Sequence, residues 1–439
     1  MLILRFFSFI YLTLLLFLVT YQDFFLVNKI GEIGRSPIFL LLPFFIIGEI
    51  LNIKCKKINI TKLQKYLFMY IIYVFCVGLI YVFIYSLKGV YVYLNEDIFL
   101  KFVKGQMYFI IIFLFYRHCY LLFSIIKTKV IFRAFFVNLM ILNIIMALEY
   151  FSMPSAWMWL HSSDEPYYRI RLLTVESSWT GTIYLIYSIL TLYLAKNLFN
   201  NFKVRLYTIT IIISLLAYVF LTGSKGFFIV FVVSLIFFAF NFINIFRISV
   251  KNIIFSFLLL CCTALVFMIL KDDFYSSLMS DIEKYTSVST RLGLFMVAIK
   301  VFVTNLFGVG TGVYIVLLVE SIQGIIELLR EIFVTLFNVS PNLDELQRLT
   351  GTTKGLAIKS SFFNWLVQGG IGALLYFFYS SKVANQITKN DKMLRFCLIF
   401  VLISVFSFIN LEIKYEIWLF FAFIDWNYQN NKPHLNGMP

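Results

Sequence analysis

Four short stretches of the sequence hold side chains that could do chemistry. In Arg169-Ile-Arg171-Leu-Leu-Thr-Val-Glu176-Ser-Ser, two arginines precede a glutamate at the mouth of an apolar run. A guanidinium stays protonated and offers a planar fork of donors, which fits phosphate and pyrophosphate. Glu176, a carboxylate beside apolar surface, is placed to act as a general base. The plain alternative is a loop whose arginines pair with Asp164 or Glu165, an arrangement worth little at a surface. Leu221-Thr222-Gly223-Ser224-Lys225-Gly226 is a very short turn between two apolar runs. Its glycines permit a tight reversal, the amides around Ser224 at the next helix start can hold an anion, and Lys225 adds a point charge. Its plain alternative is a hairpin turn with a snorkelling lysine.

Thr290-Arg291-Leu292-Gly293 opens an apolar stretch that ends in Gly308-Val309-Gly310-Thr311-Gly312. With no preceding strand and no GxxxxGK[ST] pattern, these glycines are not a nucleotide loop. They let the chain turn or come close to a ligand. In Ser361-Phe-Phe-Asn364-Trp-Leu-Val-Gln368-Gly-Gly-Ile-Gly372, Asn364 and Gln368 are one helical turn apart and share a face. The glycines after them permit close helix packing. His161, near Asp164, is a candidate metal ligand or proton carrier, although a lone loop histidine is more often neither. With only three histidines, and six cysteines that lack zinc spacing or CxxC, no metal cluster is expected.

The elements that must position these residues are membrane helices. Of 439 residues, 61% are hydrophobic, 20% aromatic and 13% charged, and mean hydropathy is +0.91. A soluble domain carries about 25% charged residues. The sequence predicts an all-α polytopic integral membrane protein with about 12 spans. They centre on 6–20, 37–51, 66–87, 99–116, 134–150, 179–195, 207–221, 227–246, 252–270, 362–381, 396–410 and 414–427. The start reads as a retained first span, not a removed signal peptide. The net charge of +15 is a matter of topology rather than nucleic-acid binding, because Lys and Arg mark the cytoplasmic side. Connections alternate between a basic set (around Lys54–Lys65, Arg117–Arg133, Lys196–Arg205, Arg247–Lys251 and Lys382–Arg395) and an acidic set (Asp23 and Glu32; Glu96 and Asp97; Asp164, Glu165 and Glu176; 271–361; Glu412 and Glu416). Both termini are then cytoplasmic. Residues 1–270 carry the first nine spans, 271–361 form a large outer loop, 362–427 carry three spans and 428–439 form a tail. Within the loop, Val313–Phe337 is apolar but holds Glu320, Glu327, Arg330 and Glu331. Mid-membrane charges cost about 2.5–3.5 kcal/mol each, so it is expected to be an amphipathic helix at the outer interface, not a thirteenth span.

Taken in order, the motifs resemble those of the O-antigen polymerase and ligase superfamily, which holds Wzy-type polymerases and Wzy_C-type ligases. Arg171 with Glu176-Ser-Ser resembles that family's arginine and turn entering a span. Thr222-Gly-Ser-Lys-Gly226 is similar to its Thr-Gly-Ser-Arg-Gly turn. Arg291 with Gly308-Val-Gly310 resembles the arginine and Gly-x-Gly of its large outer loop, and Ser361–Gly372 its span-opening His-Asn…Glu-x-Gly pattern. Two departures stand out: Lys225 replaces an arginine, and no histidine lies between 162 and 433, where ligases carry one. The second favours polymerase over ligase.

The resemblance implies a metal-independent glycosyltransferase without cofactor, in the bacterial inner membrane with its site facing outward. It would move a glycan from undecaprenyl pyrophosphate to the non-reducing end of a lipid-linked repeat unit of O-antigen, capsule or exopolysaccharide. Arg171 and Arg291 would stabilise the departing pyrophosphate and Glu176 would be the base. Arg169, Gly223, Ser224, Lys225 and Asn364 would bind substrate, and the apolar bundle the lipid tail. Partners implied are the lipid-linked oligosaccharide, membrane lipid, a chain-length regulator and a flippase. Ligase is the alternative within the family. A lipid-linked oligosaccharide flippase is the alternative from another class, although repeats and mid-span charges typical of transporters are not evident. A membrane scaffold is a third.

Overall fold

Apolar runs this long can cross a bilayer as helices, which satisfy their own backbone groups. The computed structural model describes residues 2–54, 60–155, 158–163, 165–240, 283–284, 286–353 and 356–431. Its main helices are α1 (Leu2–Thr20), α2 (Leu42–Lys54), α3 (Lys62–Leu87), α4 (Ile98–Ile125), α5 (Thr128–Ser152), α6 (Ser177–Leu198), α7 (Asn201–Thr222), α8 (Lys225–Phe240), α9 (Ser287–Thr304), α10 (Gly310–Phe337), α11 (Ser361–Thr388), α12 (Lys392–Ser407) and α13 (Tyr415–Asn431). A two-residue hairpin, Val92–Tyr93 with Glu96–Asp97, joins α3 to α4. Among the described residues, eight helices, counting Pro37–Lys54 as one, are long and apolar enough to cross a membrane. This is an all-α polytopic membrane protein. Every expected span falls on a helix except 252–270, which lies outside the described residues, as do Arg247, Lys251, Asp164 and the end of the span at 227–246.

Local chemistry sets the helix ends. Thr61 and Gln64 form a capping box on α3, and Asp97, Asn200 and Asp391 cap α4, α7 and α12. Gly223, at φ 56°, stops α7 in the left-handed conformation, and the Ser224 hydroxyl accepts from the Phe227 amide as α8 starts. On α3, Phe68, Ile72, Phe75, Leu79 and Phe83 stay exposed along one stripe, the face for lipid.

The large connection is not a peripheral appendage. α9 and α10 form a hairpin whose turn, 305–309, inserts among α3 and α11. Leu306 accepts from the Ile371 amide at 2.8 Å, and the Val309 amide donates to Val367 at 3.1 Å. The Tyr73 hydroxyl donates to Phe307 at 2.8 Å. Protein groups thus satisfy this irregular backbone, as a membrane protein's interior requires. α11 breaks at Gly370 (φ 51°, ψ −130°) to receive this turn. A Cβ on Gly310 would lie 2.1 Å from the Gly78 Cα, so the glycines serve packing between backbones.

The expectation for 313–337 is corrected in two respects, the first being that Gly310–Leu336 is itself one of the eight helices long and apolar enough to cross a membrane. α10 is amphipathic, with Glu320, Glu327, Arg330 and Glu331 exposed. Its apolar face, from Val313 to Phe333, is buried in a second core with α9 and the ends of α3 and α4. Protein, not the lipid interface, covers that face.

Candidate functional site

Five connections of the acidic set meet at one end of the bundle around a pocket of about 480 Å³, within the ~300–1,000 Å³ usual for small-molecule sites. Five cations line it (Arg35, Lys101, Lys104, Arg291, Lys359), with four carboxylates (Glu32, Glu96, Glu176, Glu412) and the amides Asn364, Gln368 and Asn410. Trp179, Tyr108 and Tyr314 supply ring surface. Three of the ion pairs on its wall are long: Arg291 to Glu176 at 3.7 Å, Lys359 to Glu345 at 3.8 Å and Lys101 to Glu96 at 3.9 Å. Partly exposed pairs of this length hold their cations weakly. The short one is Arg35 with Glu32, a two-pronged contact.

The floor is formed by α11 and the α12–α13 connection. Glu412 Oε1 accepts from Asn364 Nδ2 and from Trp365 Nε1, each at 2.8 Å. Burial pushes the Glu412 carboxyl up to about 7, against the pull of those two hydrogen bonds. Behind Trp179, the buried Lys414 ammonium sits 3.0 Å from the ring centroid and donates to Gln22, whose amide donates to Glu416.

Of the residues expected from sequence, the pocket gathers Glu176, Arg291 and Asn364. Arg169, Arg171, Gly223, Ser224 and Lys225 are not on its lining. Arg169 is exposed. Arg171 is buried, and its backbone is fixed on both sides: its amide donates to Glu149, and Thr174 and Thr180 donate to its carbonyl. Its guanidinium lies 4.7 Å from the Tyr167 ring centroid, and Nε and Nη2 have no hydrogen-bond partner. The 222–226 turn packs on the same segment, with the Thr222 hydroxyl donating to Ile170 at 3.3 Å. The expected cations thus fall into two groups. Arg291 is at the pocket; Arg171 is beside it, on the segment that the turn covers.

His161 is not on the pocket lining either. Its Nδ1 is 2.7 Å from Asp23, and Ser162 donates to the same carboxylate. Burial would raise the Asp23 carboxyl, but His161, Ser162 and the charge of Arg35 outweigh it and hold it below the usual range. Sequence reasoning missed Arg35, Lys101, Lys104, Lys359 and Lys414, and gave Glu412 no role beyond its place in the acidic set. For Arg35, Lys359 and Glu412 the signal is the alternation of charge, which puts their connections at one end; Lys101 and Lys104 lie within an expected span, where that alternation does not reach.

Fold and site together define a polytopic helical membrane protein with a mixed-charge pocket at one end. The family model described as O-Antigen ligase (Wzy_C) matches residues 209–378. An uncharacterized 49.5 kDa protein in cps region of Klebsiella pneumoniae is 30% identical over 246 residues, which cover 55% of this chain and 52% of that relative. The match thus spans about half the length of the relative. Both findings support the resemblance of this chain to the O-antigen polymerase and ligase superfamily. The matched stretch holds Gly223, Ser224, Lys225, Arg291 and Asn364; Arg169, Arg171 and Glu176 precede it, and Glu412 follows it.

Proposed function

We propose that this protein is a polysaccharide repeat-unit polymerase of the bacterial inner membrane, working on its outer face. It transfers a growing glycan from undecaprenyl pyrophosphate to the non-reducing end of a lipid-linked repeat unit. The observation that carries this reading is the meeting of five cations with carboxylates and amides in one pocket of a membrane bundle. The donor brings its own leaving group, so the protein must supply charge to receive a pyrophosphate and a base to deprotonate the acceptor. Because the Arg291–Glu176 and Lys359–Glu345 contacts are loose, phosphate oxygens can take over these cations at small cost. Arg171, with two unpartnered nitrogens, and Lys225 on the neighbouring turn are a second place for the diphosphate. Two carboxylates, Glu176 and Glu412, reach the pocket as bases.

Within the family the same pocket chemistry suits a ligase. The absence of histidine between 162 and 433 supports the polymerase. Surface polysaccharide from a deletion strain tests the choice on a gel. Lipid bearing a single repeat unit is the result expected. Lipid bearing no repeat unit would mean a ligase, and units trapped on the inner face a flippase.

A further inference from the structure

The pocket floor is rich in acceptors that lack donors. Glu412 Oε2, Asn364 Oδ1 and Gln368 Oε1 are buried without a hydrogen-bond partner, and Asn410 Oδ1 is a fourth. The three residues Glu412, Asn364 and Gln368 are 8%, 5% and 5% exposed, and all four line the pocket. An orphaned buried acceptor is destabilising, and here the orphans share one cavity. The orientation of Asn364 is set by chemistry, because its Nδ2 is the end that can donate to a carboxylate. Such a floor asks for a ligand with several O–H donors close together, which is the edge of a sugar and not a phosphate.

Resting on the polymerase reading above, we propose that Glu412 is the catalytic base and that the floor is the acceptor-sugar subsite. Oε2 takes the proton of the attacking hydroxyl, while the amide oxygens of Asn364 and Gln368 receive neighbouring hydroxyls. The freed oxygen pair forms the new bond to the donor's anomeric carbon. The bond from that carbon to the pyrophosphate oxygen breaks, its electron pair leaving with undecaprenyl pyrophosphate toward the pocket cations. Glu412 then returns its proton to water.

Glu176 suits this task less well. It is 35% exposed and its charge faces Arg291, so it opposes the cation needed by the leaving group. Glu412 by contrast has neutral partners, both on Oε1, which leaves Oε2 for substrate. The groups facing it from neighbouring helices are Tyr70 on α3, Tyr108 on α4 and Tyr314 on α10. The pocket's other charged groups are Lys101 and Lys104 of α4 with Glu96 just before it, Arg291 of α9, Glu176 at the start of α6, Lys359 just before α11, and Glu32 and Arg35 between α1 and α2. On its own connection, Lys414 is turned over Trp179 toward Gln22 and Glu416.

The test uses the purified full chain in vesicles with a lipid-linked repeat unit, following elongation from pH 5 to pH 9. Wild type is expected to gain rate as Glu412 ionises. Glu412→Gln keeps a carbonyl oxygen for both Asn364 and Trp365, and is expected to lose roughly 10²–10⁴-fold in rate together with that pH dependence. Glu176→Gln is expected to keep the pH dependence. If Glu412→Gln elongates with the wild-type rate and profile, the assignment of the base is wrong and the polymerase reading stands. If wild type itself does not extend the unit, both are overturned. Should Glu412→Gln not fold, Gln368→Leu decides the matter: the KM for acceptor should rise roughly 10-fold with kcat near wild type, as for one lost hydrogen bond. An unchanged KM overturns the subsite.

Discussion

A Cβ placed on Gly370 would lie 2.3 Å from the amide nitrogen of Gly308. The two glycines therefore join α11 to the α9–α10 turn with no side chain between them. Both have positive φ, 51° and 82°. Alanine at either position adds backbone strain to overpacking, and is expected to cost roughly 2–4 kcal/mol. Thermal unfolding in detergent measures this, and a melting temperature equal to wild type would show that the turn can move aside.

Arg291 and Arg171 should respond differently to truncation. Arg291 is partly exposed, so Arg291→Ala is expected to melt like wild type while elongation falls about 10²–10³-fold, as when one preorganised donor is lost. Arg171 stacks on Tyr167 inside the protein. Arg171→Ala should lower both chain length and melting temperature, and Arg171→Lys should not restore chain length, because an ammonium lacks the fork. Chain-length gels with membrane-fraction blots check both, and unchanged chain length in both alanine variants would remove the pyrophosphate role.

Glu412 links stability to pH. Its carboxyl is raised from 4.5 to about 7 by burial. Between these values the unfolded chain loses the proton while the folded protein keeps it, so stability falls as pH rises. Above about 7 the loss levels off at roughly 3 kcal/mol. Glu412→Gln does not titrate, so its melting temperature should gain on wild type from pH 5 to pH 8. Parallel curves would show that Glu412 ionises in the fold as it does in water.

The Asp23–His161 pair pins the 158–163 segment to the connection after α1. His161→Ala should destabilise that contact by roughly 1–3 kcal/mol, read as faster proteolysis within 151–163. Because Asp23 is held below its ordinary value, the contact is fully present above about pH 4 and weakens as pH falls through the folded value. An equal cleavage rate in variant and wild type would show that the segment is held elsewhere.

The helices were legible because apolar length is a strong signal: α4, α5 and α6 stand where the runs at 99–116, 134–150 and 179–195 put them. Asn364 was legible too, as a polar residue opening a span. Its partner Glu412 was not assigned a role, since the two are brought together by the fold from 48 residues apart, a spacing without periodicity. Lys101 and Lys104 were hidden inside an apolar run that sequence treats as a span. Arg171 and Arg291 share one role in the resemblance, and of the two Arg291 lines the pocket. The burial of α10 depends on Gly78 and Gly105, single glycines in other helices.

The contact of Gly310 with Gly78, like that of Gly308 with Gly370, leaves no compressible layer between hairpin and bundle. Thr311 and Tyr314 on one arm, and Asn364 and Gln368 on the adjoining helix, are thereby set at fixed separations, like the jaws of a gauge block. Any widening of the pocket consequently falls to the segment around Glu32 and Arg35 on its lining, which is built of short turns instead of interlocked helices.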